Sequence, residues 1–189
     1  MDTLVQAFYV AAPVWEQAVV QVSWHHAFIA AAYLGAAWLC LLNGHIARGC
    51  GEAHLGWYLA LALLCALGAN TVLGGDVFIT HFVRAAVKLH GWYGERRPAQ
   101  YLALGALALV LVMASGWLRA RFTACGVPSA AVALGLMALL LLFCLRAVSG
   151  HATDVVINLR LAGVSVGRLL ELAAIGLVLH GALRCLRLR

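Results

Sequence analysis

Charged side chains are scarce in this 189-residue chain: Asp, Glu, Lys and Arg make up 11% of it, less than half the share of about 25% found in soluble domains. Apolar residues fill 65%, and the mean hydropathy is +0.95. That balance excludes a water-soluble globular protein. Cysteine forms no CxxC pair. Cys40, Cys50, Cys65, Cys125, Cys144 and Cys185 are scattered, several of them in apolar runs where Cys behaves as a small hydrophobe. No Lys or Arg precedes Arg48, so the basic start of a cleavable signal peptide is missing and the first span is expected to stay in the mature protein. There is no glycine-rich phosphate loop, serine nucleophile motif or soluble cofactor domain. Nor is there the internal repeat or broken-helix symmetry expected of a lone secondary transporter. The net charge of +6 suits basic membrane flanks and implies no nucleic-acid partner.

What is present is apolar sequence in runs of about 20 residues, the length a bilayer-crossing helix needs. The expected fold is all-α, an integral membrane bundle of about five transmembrane helices plus one amphipathic interfacial helix. Residues 1–21, interrupted by Pro13, Glu16, Gln17 and Gln21, read as an interfacial segment. Residues 22–189 read as a single transmembrane domain with spans at about 22–42, 54–74, 101–118, 128–147 and 165–186. Asn43, Gly44, His45, Arg48, Gly49 and Gly51 read as a polar turn after the first span. Over about 76–90, Ile79, Phe82, Val83, Ala86 and Val87 recur at helical spacing while Asp76, Thr80, His81, Arg84 and Lys88 fall opposite. That pattern predicts a helix along the membrane surface, with Trp92 and Tyr93 at headgroup level.

Five spans put the termini on opposite sides. The N-terminal side receives Arg84, Lys88, Arg96, Arg97 and Arg160, and the other side receives Arg48, Arg119, Arg121, Arg184, Arg187 and Arg189, so the positive-inside count is nearly tied. The second side carries Glu52 as its one acid, and no basic residue holds the N-terminal segment in the cytoplasm. The expected location is therefore the inner (cytoplasmic) membrane of a bacterium, N-terminus outside and C-terminus cytoplasmic.

The N-terminal side also collects most of the titratable groups. His151 and Asp154 share a helix face if helix continues there, and an Asp one turn from a His can orient its ring for acid–base or metal chemistry; they are the candidate catalytic pair. Arg146, Arg168 and Glu171 lie at the edge of apolar runs. There an unpaired charge costs about 2.5–3.5 kcal/mol on insertion scales, so they should face the bundle, with Glu171 the natural partner of one arginine. Together with Arg96, Arg97 and Ser149 they form the candidate ligand-binding set, since arginine's planar fork matches phosphate oxygens. His25, His26, His81, His151 and Asp76 are candidate metal ligands. Adjacent His25 and His26 diverge by about 100° on a helix, which disfavours joint ligation. A b-type haem between imidazoles, His26 with His151 or His54 with His180, is the alternative cofactor.

At Gly91, Trp92, Tyr93, Arg96, Arg97 and Gln100, and again at Arg146, Ser149, His151 and Asp154, the chain resembles a group of uncharacterised bacterial polytopic membrane proteins. They share a GWYxxRRxxQ block after the second span, an RxxSxHxxD block after a later one and a Leu-Glu-Leu near the last helix, here Leu170, Glu171 and Leu172. The likeness covers roughly residues 66–176. It departs where such proteins often carry Asn-Lys-x-Leu-Asp-Leu-Gln and this chain has Asn70-Thr-Val-Leu-Gly-Gly-Asp76. The resemblance implies a common polar centre of Arg96, Arg97, His151, Asp154 and Glu171.

Three functions fit the residues: a membrane protein binding or acting on an anionic lipid-like ligand at that centre, a non-catalytic subunit of a homo-oligomer or larger membrane complex, and a haem or metal electron carrier. The last predicts a Soret band or stoichiometric metal in the detergent-purified protein, lost on His151→Ala. Absorption and elemental analysis check it, and a colourless, metal-free wild type removes it.

Overall fold

The computed structural model describes residues 3–20, 24–90, 127–148, 159–161 and 164–188, with single positions at Gly105, Leu109 and Gly116. The described chain is α-helical, in order α1 (Thr3–Val20), α2 (Trp24–Gly49), α3 (Leu55–Leu73), α4 (Gly75–Leu89), α5 (Val127–Val148) and α6 (Val166–Arg187). A two-residue hairpin, β1 (Arg160–Leu161) antiparallel to β2 (Val164–Ser165), leads into α6 and is a small departure from the all-α expectation. Helices α2, α3 and α6 are long and apolar enough to cross a membrane, and α5 holds a shorter apolar stretch, Ala130–Arg146. The expected span at 101–118 lies outside the described residues apart from those single positions.

Helix α2 runs well past residue 42, through the stretch expected as a polar turn. Asn43 does not break it because its side-chain nitrogen donates to Leu39 O in the preceding turn (2.9 Å) and to Ala182 O of α6 (3.0 Å). Gly44 serves packing: a Cβ there would lie 3.2–3.3 Å from the side chains of Tyr58 and Trp57 on α3. The stop comes at Gly51, whose φ of 73° is easy only for glycine. Glu52 N donates to Ala47 O (2.8 Å) and Gly51 N to Arg48 O (3.2 Å), the paired bonds of a Schellman ending. Gly74, at φ 61°, closes α3 with its N–H on Asn70 O (2.8 Å) and opens α4.

The core combines a few large side chains, such as Trp57, Leu64 and Leu136, with many small ones. Small residues dominate the buried faces of α2 (Ala36, Ala37, Gly44, Ala47) and α6 (Gly167, Ala174, Gly181, Ala182). Large apolar side chains such as Leu34, Trp38, Leu134 and Leu141 face outward. In lipid the apolar surface gains little by leaving its surroundings, so helices associate where small residues let backbones approach. The broadest contacts join α5 to α6 and α2 to α3, and α2 also packs on α6. His26, Tyr33 and Asn43 meet Arg168, Glu171 and Ala182 in that order, so α2 and α6 run parallel. Their beginnings lie at one end of the bundle with the end of α5.

Helices α1 and α4 pack chiefly on each other at that end. Phe78 of α4 meets Phe8 and Trp15 of α1 edge-on, at 5.8 and 5.7 Å, and Trp15 Nε1 donates to Leu73 O at the end of α3 (2.6 Å). The apolar stripe expected on α4 is only partly used: Ile79 and Val83 are exposed, while Ala85 is buried and Thr80 turns to α5.

Gly135 marks the tightest approach between α5 and α6, where a Cβ would lie 2.7 Å from both Ala174 O and Val178 Cγ2. Gly135→Val is expected to lower stability by about 1–3 kcal/mol through overpacking, read as a lower melting temperature in detergent. Gly35→Ala, which meets nothing within 4 Å, should leave it unchanged or slightly higher.

Candidate functional site

Glu171 occupies the second turn of α6, in a helix built mostly of Leu, Ala, Val and Gly. Its side chain is 5% exposed, and a carboxylate at such a place needs partners for both oxygens. Arg146, in the last turn of α5, supplies one: its Nη2 lies 2.9 Å from Oε2. Tyr33 of α2 supplies the other, its hydroxyl donating to Oε1 at 2.9 Å. Charge-assisted bonds of this length are among the strong ones, and these two tie α2, α5 and α6 together. Arg146 is also touched from α4, where Thr80 Oγ1 donates to its carbonyl at 3.4 Å, a long and weak bond.

Of the two arginines left open as partners of Glu171, Arg146 is the one that pairs with it; Arg168, one turn away on α6, does not. Arg168 turns to α2, where its Nη2 donates to His26 Nε2 at 3.0 Å; because guanidinium can only donate, that ring nitrogen is the acceptor. The close α5–α6 approach at Gly135 accompanies the pairing of Arg146 with Glu171 across the two helices.

Beside the ion pair opens a crevice of about 10 Å³, lined by Tyr33, Asn70, Thr71, Arg146 and Glu171 and by the apolar side chains of α3 and α5. That volume is close to what one water needs, so a phosphate group does not fit inside and can meet Arg146 only at its exposed edge. Thr71 does not reach a neighbouring helix: its hydroxyl donates to Leu67 O of its own turn (3.0 Å). Asn70 packs against the α3–α4 corner, where a Cβ on Gly75 would stand 2.5 Å from its Oδ1.

Of the expected ligand set, the structure brings together Arg146 and Glu171, with Arg168 one turn away. Arg96, Arg97, Ser149, His151 and Asp154 lie outside the described residues. The metal candidates scatter: His25 stacks on Trp24 (centroids 3.6 Å apart), His26 holds Arg168, and Asp76 Oδ1 accepts from Val77 N at the start of α4 (3.0 Å). His81 lies on α4. Among the described residues no three His, Cys, Asp or Glu side chains converge on a metal-sized site. Of the second haem pair, His54 packs edge-on against Tyr58 and His180 is on the exposed side of α6. Tyr33 was missed by sequence reasoning. Its signal was a phenol hydroxyl inside an apolar run, which must find an acceptor when buried.

No protein-family model, curated protein or solved structure matches the chain.

Removing one member of the buried pair should cost more than removing both. Glu171→Leu or Arg146→Met alone is expected to lower stability by about 3–5 kcal/mol, and the double variant to recover most of the loss. Tyr33→Phe should cost about 1.5–3 kcal/mol, the range for a hydrogen bond to a charged group. Denaturation in mild detergent reads all four.

Proposed function

We propose that the chain is a polytopic membrane protein of about five spans whose Arg146–Glu171–Tyr33 centre, at one membrane face, binds the phosphate-bearing headgroup of an anionic lipid-like ligand. The observation that carries this reading is that Arg146 lines a small crevice and is 23% exposed while its acidic partner is 5% exposed. Among the described residues Glu171 is the guanidinium's one charged partner and engages only Nη2, which leaves further N–H donors for an anion. Arg168 and exposed Arg84, Lys88 and Arg160 belong to elements at the same end, and Arg96, Arg97, His151 and Asp154 are proposed to join them.

The five-span count is supported by connectivity. Helix α4 packs at the Arg146 end and α5 begins at the opposite end, and the apolar run 101–118 is the span proposed to join them. The proposed setting is a bacterial inner membrane with the N-terminus and the polar centre outside, in the company of the GWYxxRRxxQ proteins. Membrane lipids are the proposed partners, and a second copy or a larger membrane complex is proposed to cover the exposed apolar faces. A second reading is that the centre is a helix lock alone, which the joining of α2, α5 and α6 favours.

Native mass spectrometry from mixed lipid separates the two. Wild-type protein should retain phosphatidylglycerol over phosphatidylcholine, and Arg146→Gln/Glu171→Gln should fold yet lose that preference by about tenfold or more, the equivalent of one charge-assisted bond. If the folded double variant keeps the preference, the centre is only a lock.

A further inference from the structure

One histidine lies on the outward face of a span. His180 is the fifteenth residue of the 22-residue helix α6, about 10 Å short of its end, and it is exposed. The other histidines of α2 and α6 have partners: His25 stacks on Trp24, His26 accepts from Arg168, and His45 meets Tyr58 edge-on at 6.0 Å. Among the described residues no hydrogen bond, ion pair or ring contact reaches His180. Ionisable side chains inside spans rarely face lipid, because acyl chains offer an imidazole neither donor nor acceptor.

The residues around it form an ordered row. Leu169, Ala173, Gly176, His180 and Leu183, at alternating steps of four and three, are all exposed, which is the seam spacing of a left-handed helix pair. A Cβ on Gly176 would meet nothing within 4 Å, so a second backbone can come close there. A lone polar residue in such a seam fixes register and helix number. The outward faces of α2 and α5 instead present groups such as Trp38, Leu134 and Leu141, which lipid solvates as well as protein does.

We propose that this face of α6 is the contact between two copies of the chain, with His180 hydrogen-bonded to the partner's His180. Copies inserted with one topology present α6 in the same direction and at the same depth, so a two-fold axis along the membrane normal sets each seam residue against itself. A neutral imidazole carries one N–H donor and one bare nitrogen acceptor. Two identical rings therefore satisfy each other. Arg187, next in the row, ends the helix, where its long side chain reaches headgroup phosphates. The proposal rests on the reading that a second copy covers an exposed apolar face, and it names that face and the residue that fixes it.

The test counts copies of the full chain, one dye each, by single-molecule photobleaching in phosphatidylcholine vesicles over a range of protein-to-lipid ratios. Wild type should pass from monomer to dimer as density rises, and no further. His180→Leu should weaken the dimer by about three- to thirtyfold, the span of interhelical polar bonds in membranes. His180→Asn, which keeps a donor and an acceptor, should restore most of it. Gly176→Leu has open space in the monomer and should abolish pairing, whereas Gly35→Leu, equally open on α2, should leave it intact. Melting temperature in detergent checks that each variant keeps the fold. A wild type that is monomeric at every density overturns this contact and the second-copy reading with it. A dimer indifferent to His180→Leu, or one broken by Gly35→Leu and not by Gly176→Leu, overturns the α6 contact alone.

Discussion

A carboxylate inside an apolar helix has to be neutralised where it lies, and Glu171 imposes that condition on three helices at once. Its two oxygens face different elements, so Tyr33 of α2 and Arg146 of α5 must reach one point together. Helix order follows from it: α5 lies antiparallel to α6 so that its basic end meets the acid near the start of α6. Parallel α2 and α6 then place a phenol at the same depth. An exposed surface pair of the same residues would contribute little; here burial makes each bond strong and the loss of any partner costly.

Packing makes that geometry reachable. Helices in lipid gain little from hiding leucine, so close approach at Gly135, Gly68 and Gly44 sets which side chains can touch. Asn43 makes a second polar tie at the far end of α2, to Ala182 O. One bundle is thus fastened by polar bonds near both ends, with small residues between. The α1–α4 pair stands against the Arg146 end through an aromatic cluster and the Trp15–Leu73 bond, bringing the basic residues of α4 to the face that carries the polar centre.

The helical class and the three helices long and apolar enough to cross a membrane were legible from composition and apolar runs, because a hydrocarbon solvent calls for long helices of predictable length. Local punctuation was less legible. Asn43 and Gly44 look like a turn in sequence and sit inside a helix, because one finds backbone acceptors and the other admits Tyr58. The α4 stripe was visible as a pattern, yet the pattern could not say that Phe78 would pack on α1 while Ile79 and Val83 stayed exposed.

By itself the sequence determined a helical chain with apolar runs long enough to cross a membrane, and Glu171 and two arginines at the edges of those runs, where charge is too costly to go unpaired. Only the tertiary structure decided the pairing. Spacing along α6 offered Arg168, while the close α5–α6 approach delivered Arg146 and sent Arg168 to His26. Tyr33 entered the centre from a helix 138 residues away, a contact carried by no local period, because depth in the membrane and the approach of backbones decide which groups meet.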